Sequence, residues 1–365
     1  MAPVDFRRGV LYMKLNDIST PALVVFKEVF EKNADEMAKI LEGSSLKLRP
    51  HFKSHKCAAI AKLQIAAGAV GVTCAKLDEA LDLADAGVED ILIANQITDK
   101  AKISRLAHLA STCHLSVCVD SKDNVSALEA AAAQADSTIF CLIEYEIGMQ
   151  RCGVAKNEDV LALIRQIEAC PHLVYDGIQA YAGHISHTVS IEERRDLTKA
   201  NTKKIRALIS YLKENGKEPR ILSGGSTGTS VIKAKDNLYT ELQAGSYLFM
   251  DATYDELKLP FKSSLFILTT VVSVNDRLVV VDAGVKSCGV DQGMPVPVGF
   301  SVSEVVASEE HFQLHHPTKK FSVGDKILLV PAHCCSTVNL HEKLYFIEDG
   351  KVSDRLTVTA RGAFH

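Results

Sequence analysis

The chain has 365 residues, 47% of them hydrophobic, enough to bury a large core as one big domain plus a smaller one. A net charge of −4 gives no electrostatic reason to bind nucleic acid or an anionic membrane. The ten cysteines are scattered, often inside apolar runs such as LSVCVD (Cys118) and TIFCLIE (Cys141), which suits reduced, buried thiols in a cytoplasmic protein better than a disulfide framework.

The N-terminus, MAPVDFRRGVLYMKL, lacks the long apolar core of a signal peptide, and no run approaches the length of a membrane span. A soluble intracellular protein is expected. A strand around Pro21–Val25 can join either domain. From about residue 46 to 250, eight short apolar runs alternate with longer amphipathic ones. In order the short runs are SLKLRP, AVGVTC, DILIAN, LSVCVD, TIFCLIEY, YDGIQAY, RILSGG and ELQAGSYLF. Strict alternation of this kind means a parallel sheet, and eight repeats over about 200 residues predict an α/β fold of the (β/α)8 barrel type. The alternative, an open doubly wound sheet, wants a glycine fingerprint after its first strand, and LRPHFKSHK has none. After residue 260 the runs FILTTVVSV, RLVVVDAG, VPVGFSVSEVV, KILLVPAH and KLYFIEDGKV read as strands with no convincing helix. The expected division is a barrel over 20–258 and a β-rich domain from 1–19 and 259–365.

Barrel enzymes place their chemistry at the C-terminal ends of the strands, where this chain carries its most unusual side chains. Lys53, in LRPHFKSHK after the first strand, has Arg49, His51, His55 and Lys56 around it. Neighbouring cations and partial burial depress a lysine pKa and prepare it to form a Schiff base or to act as a base; a solvated basic turn is the plain alternative. Arg151 follows the fifth strand, where it suits a cofactor ring, a substrate carboxylate or an ordinary salt bridge. Tyr181, His184 and His187 follow the sixth, and the histidines are candidates for acid–base work near neutrality. GGSTGTS (Gly224–Ser230) follows the seventh strand, with uncovered backbone N–H groups and several hydroxyls that can cradle an anion. On it Ser226, Thr227 and Gly228 are candidate cofactor contacts, joined one strand later by Gly245, Ser246 and Tyr247. A phosphate loop after strands seven and eight, with a reactive lysine after strand one, points to pyridoxal 5'-phosphate. In LLVPAHCCSTVNLH, read as a strand, positions two apart share a face, so His333 and Cys335 point together and Cys334 away. An imidazole and a thiolate suit zinc, or less well another divalent metal such as manganese or magnesium, with positions left for water or substrate; two buried strand residues are the plain alternative.

Together LRPHFKSHK, GVTCAKLDEA, GMQRCG, GIQAYAGHISH, GGSTGT, TELQAGSYLFMDATY, VVVDAGVKS with DQG, and PAHCCSTVNLH resemble the fold-type III pyridoxal-phosphate enzymes, an alanine-racemase-like barrel plus β-domain. More narrowly they resemble the metal-dependent D-threonine aldolase and D-3-hydroxyaspartate aldolase group, with the D-serine dehydratases as cousins. The resemblance covers nearly the whole chain. It implies that Lys53 carries the imine, that Arg151 and Tyr181 lie near the cofactor, and that Thr227, Gly228, Gly245 and Ser246 contact its phosphate. It also implies that His333 and Cys335 hold the metal and that His187 takes the proton of the substrate's β-hydroxyl. A homodimer is implied too, with Asp291 closing the partner's site. One departure divides the expectation. The aldolases usually present His-x-Asp as the metal pair, and His-x-Cys is typical of the zinc-dependent dehydratases. The expected reaction is therefore retro-aldol cleavage of a D-3-hydroxy amino acid to glycine and an aldehyde. The alternative is dehydration of D-serine or D-3-hydroxyaspartate to a 2-oxo acid and ammonia. A carrier of pyridoxal phosphate is a third reading, but it has no use for a metal pair.

Overall fold

The computed structural model describes residues 13–365. The first twelve residues, and with them most of the N-terminal reading above, lie outside the described residues. The chain divides into two compact units: residues 37–245 with 362–365, and the described residues up to 36 with 246–361. Among the described residues no helix is long and apolar enough to cross a membrane.

The first elements are a strand, β1 (Ala22–Phe26), and a helix, α1 (Lys27–Leu41). Strands and helices then alternate: β2 (Lys47–Leu48), α2 (Ala58–Ala66), β3 (Val72–Cys74), α3 (Leu77–Asp85), β4 (Asp90–Ile93), α4 (Lys100–Leu109), β5 (His114–Val119) and α5 (Lys122–Ala135). They continue as β6 (Ile139–Glu144), α6 (Asn157–Glu168), β7 (Leu173–Ala180), α7 (Ile191–Glu214), β8 (Ile221–Gly224), α8 (Ser230–Asp236) and β9 (Glu241–Leu242). The strands are almost wholly buried, which is why they read as continuous apolar runs rather than alternating ones. Several helices start on side-chain caps that satisfy an otherwise orphaned N–H: Asp99 accepts from Lys102, Ser121 from Asn124 and Ser190 from Glu193.

All eight barrel strands are parallel, in the order β2-β9-β8-β7-β6-β5-β4-β3. The ring closes between its ends, because Val70 N–H donates to the Leu48 carbonyl and Thr73 N–H to the Pro50 carbonyl, each at 2.9 Å. Leu92, Cys118, Leu142 and Ile221, from four different strands, share one buried apolar cluster. The first and last strands are shorter than their sequences suggest. After Leu242 the ladder continues only through single bonds, such as His51 N–H to the Ala244 carbonyl, and Ser246–Leu248 forms a 3-10 turn. Ser246 and Tyr247 therefore do not extend the eighth strand, as the sequence reading had them. Gly245 accounts for this: a Cβ there would lie 2.2 Å from Ser54 Oγ and 2.9 Å from the His51 carbonyl, so the chain crosses the barrel rim in close contact with the Lys53 turn and leaves the sheet.

The second unit is a mixed sheet of β1 with β10 (Leu265–Asn275), β11 (Leu278–Val281), β12 (Val296–Pro297), β13 (Glu304–Ala307), β14 (Phe312–His315), β15 (Lys326–Val330), β16 (Lys343–Glu348) and β17 (Lys351–Thr357). The strand that could have joined either domain is β1, and it belongs here, antiparallel to β10 and parallel to β16. Ile18, Ala22, Val24, Leu268, Ile347 and Val352 form the core beneath it. Two short helices lie in this unit, α9 (Ala252–Asp255) and α10 (Cys334–Val338). The second corrects the reading of LLVPAHCC as one strand. Pro331 has no N–H to donate to a ladder, so β15 stops at Val330 and His333 becomes the N-cap of α10.

Candidate active site

Pro50 ends the first barrel strand, and the chain turns through a 3-10 segment, Phe52–Ser54. Phe52 and Ser54 are buried and anchor the turn, leaving Lys53 half-buried between them. The His51 ring accepts the Lys53 N–H at 3.4 Å. Burial pushes the His51 imidazole well below its ordinary pKa, helped by the charges of Lys53, His55, Arg151 and Lys56, so it is a neutral acceptor. The basic residues that crowd Lys53 in sequence separate in space. Arg49 is held by Glu241 at 2.8 Å and Asp90 at 2.7 Å, and Lys56 by Glu79 at 2.8 Å. The Lys53 ammonium instead lies 5.7 Å from the centroid of the Tyr181 ring, and the Arg151 guanidinium 5.8 Å from the same ring. Three residues from the ends of three barrel strands thus converge. Arg151 is exposed and makes no ion pair among the described residues. Its loop is shaped by Glu146, which accepts the Gly148 and Gln150 N–H groups, and by Asp120, which accepts that of Gly153.

The Gly224–Ser230 loop is buried throughout. Ser226 N–H donates to Thr229 Oγ1 at 3.1 Å and Ser230 Oγ to the Thr227 carbonyl at 2.9 Å, which holds the loop open at Thr227. Thr227 Oγ1 and Ser186 Oγ are buried hydroxyls with no hydrogen-bond partner among the described residues. Gly228 faces the Ser186 carbonyl so closely that a Cβ would sit 2.0 Å from it. Two unsatisfied buried hydroxyls on and beside this loop fit a bound phosphate, the group expected here. His187 follows Ser186 and is half-buried; His184 is exposed, its ring against Gly148 on the Arg151 loop. The two histidines thus differ in burial, and His187 is the one beside the loop.

In the other unit, α10 brings His333 and Cys335 together. They are hydrogen-bonded to one another across the first helical turn and not by strand alternation. His333 Nδ1 also meets Asp291 Oδ2 at 2.6 Å, and Ser336 Oγ donates to Asp291 Oδ1 at 2.5 Å. Burial alone would lower the His333 pKa, but the hydrogen bonds and charges of Cys335 and Asp291 outweigh it and raise the imidazole to about 9. Ser246 Oγ lies 3.8 Å from Cys335 Sγ, so a residue expected at the phosphate sits beside an expected metal ligand. Tyr247 is buried, its ring 6.0 Å from that of Phe261. Cys334 turns inward, its N–H donating to Asp251, a carboxylic acid that burial raises to about 6. Among the described residues no three of His, Cys, Asp and Glu form a ready metal cage. An imidazole and a thiol with an acidic hydrogen-bonding partner nonetheless fit a divalent ion that keeps open positions. Asp291 thus orients His333 of its own chain. None of the ten cysteines is in a disulfide, and burial raises the Cys57 thiol to about 11.

Comparison with known proteins agrees with this arrangement. The family model of the alanine racemase N-terminal domain matches residues 27–253, and that of a putative serine dehydratase domain matches residues 264–347. A 3-hydroxy-D-aspartate aldolase from Paracoccus denitrificans (strain Pd 1222) is 36% identical, covering 96% of this chain and 94% of its own. A D-threonine aldolase from Arthrobacter sp is 37% identical over 94% of this chain and 93% of its own. A D-threo-3-hydroxyaspartate dehydratase from Delftia sp. (strain HT23) is more distant, at 26% over 88% and 92%. The crystal structure of a D-threonine aldolase from Filomicrobium marinum superposes with a TM-score of 0.94 at 34% identity, covering 98% of this chain and all of that one. The chain therefore belongs to the fold-type III pyridoxal-phosphate family, with the alanine-racemase type of barrel, in its D-threonine aldolase and 3-hydroxy-D-aspartate aldolase group.

Proposed function

We propose that this chain cleaves D-3-hydroxy amino acids of the D-threonine kind to glycine and an aldehyde, with pyridoxal phosphate and a divalent metal, zinc, manganese or magnesium. The observation that carries this reading is His187, a half-buried imidazole on the loop whose Ser186 carbonyl presses against Gly228. Lys53 supplies the primary amine that holds the cofactor. Arg151 and Tyr181 flank it and orient the ring, while Ser226, Thr227, Gly228, Gly245 and Ser246 take the phosphate. Tyr247, buried behind Ser246, keeps that turn in shape. The cofactor, when bound, stores the electron pair left at Cα, and a metal held by His333 and Cys335 supplies Lewis acidity towards a hydroxyl. His187 accepts the β-hydroxyl proton on an imidazole nitrogen; as that proton leaves, the Cα–Cβ bond breaks and the aldehyde departs, and a proton delivered to Cα then completes glycine.

A second reading, dehydration of D-serine or D-3-hydroxyaspartate, is favoured by Cys335 as the partner of His333 and by the serine dehydratase domain match. One assay separates the two. Incubation with D-threonine should give glycine and acetaldehyde; pyruvate from D-serine with no glycine from D-threonine would establish the dehydratase. We also read the protein as a cytoplasmic homodimer, and sedimentation at the monomer mass would remove that assignment.

A further inference from the structure

Lys233, on α8, is only 4% exposed and has no part in the chemistry above. Among the described residues its ammonium makes no ion pair or hydrogen bond. It lies 3.6 Å from the centroid of the Tyr239 ring. The nearby carboxylate of its own helix, Asp236, is engaged by Thr202 Oγ1 at 2.9 Å. A buried cation without a counter-ion is costly, and burial lowers this ammonium to about 7, with Asp236 pulling the other way.

The position of this lysine relative to the Gly224–Gly225 pair gives it a purpose. A Cβ on Gly225 would fall 2.7 Å from Lys233 Cδ and 3.2 Å from its Cε, so the lysine stem fills the space that the glycine leaves. A Cβ on Gly224 would fall 2.9 Å from Tyr239 Cε1 and 2.1 Å from the Ala180 carbonyl. Tyr239 Oη donates to that same carbonyl at 2.9 Å, immediately before Tyr181. Lys233 and Tyr239 thus form a buried pair packed directly against the two glycines that open the loop. The front of the loop offers the unsatisfied Thr227 and Ser186 hydroxyls to a ligand, and a lone cation lies behind it.

We propose that Lys233 is a positioning residue for the phosphate site, supplying from behind Gly224–Gly225 the positive charge that sets the loop's affinity for a phosphate ester. This rests on the reading of Gly224–Ser230 as the phosphate loop. In a low-dielectric interior such a charge acts across the loop without touching the ligand.

The test compares pyridoxal phosphate with pyridoxal, its phosphate-free counterpart, by equilibrium dialysis against the full-length apoprotein at pH 6, where the Lys233 ammonium is charged. K233M keeps the stem and removes the charge. It should weaken pyridoxal phosphate about tenfold or more and leave pyridoxal unchanged, while K233R, which keeps the charge, retains most of the affinity. Unchanged affinity in K233M, equal loss for both ligands, or equal loss in K233R would overturn the proposal. Loss of the folded circular dichroism signal in both variants would do so too, by making Lys233 a residue of the fold. A wild-type protein that does not prefer pyridoxal phosphate over pyridoxal would instead remove the phosphate-loop reading beneath it.

Discussion

His187 and Lys233 show how position decides the role of a titratable side chain. His187 and His184 are three residues apart in one turn, yet one is half-buried beside Gly228 and the other exposed against Gly148. If His187 takes the hydroxyl proton, His187→Ala should lower kcat for D-threonine cleavage by about 10²–10⁴ with unchanged pyridoxal-phosphate binding, whereas His184→Ala should leave kcat near wild type. Stopped-flow and steady-state assays read this directly. Lys233 makes a pH prediction. Its folded pKa of about 7 lies below that of an unfolded lysine, so from pH 7 to about 10 the unfolded chain binds the extra proton. Wild-type apoprotein should therefore gain stability relative to K233M as pH rises through that window, as measured by thermal melting of both across the range.

At the scale of elements, the ends of the barrel strands depend on long-range partners. The β2 strand has only two residues, and the ring beside it is held by Arg49, its side chain 5% exposed, which bridges Glu241 of β9 and Asp90 at the start of β4. Removing one partner of a buried pair leaves the other charge uncompensated. Arg49→Met should destabilise the barrel by about 3–5 kcal/mol in urea unfolding; a change within experimental error would mean Glu241 is hydrated or protonated without its partner. The eight strands were legible because burial on both faces leaves a continuous apolar run in each. The shortness of β2 and β9 was not, because Gly245 against Ser54 and His51 is a contact between segments about 190 residues apart. KILLVPAHCC carries an unbroken apolar pattern into a helix, and only Pro331 hinted at the break. His333 and Cys335 meet not by strand alternation but because His333 is the extended N-cap of α10, from which its imidazole is hydrogen-bonded to Cys335.

For the whole molecule, the proposed chemistry is divided between two compact units. Lys53, Arg151, Tyr181, His187 and the Gly224–Ser230 loop belong to the barrel unit; Ser246, Asp291, His333 and Cys335 belong to the other. Apart from Ser246, the residues proposed for the cofactor lie in the first of these units and those proposed for the metal in the second, so loss of the metal should leave the cofactor bound. Chelation, or His333→Ala, should abolish cleavage while leaving the bound-cofactor absorbance of the protein intact, and Lys53→Ala should abolish that absorbance. A chelator that strips the cofactor band in step with activity would refute this division.

The sequence by itself determined the α/β alternation, the order of eight parallel strands, and a lysine at one strand end with a glycine-hydroxyl loop at another. All of these are local patterns, set by side-chain periodicity and by the residue types that turns tolerate. Tertiary structure alone decided that Arg49 and Lys56 are neutralised by carboxylates, that β1 joins the second sheet, that Asp291 holds His333 across 42 residues, and that the Lys233 stem packs against Gly225. Each depends on burial and on partners distant in sequence, and a charge in a sequence does not reveal which opposite charge, ring or hydroxyl the fold will bring to it.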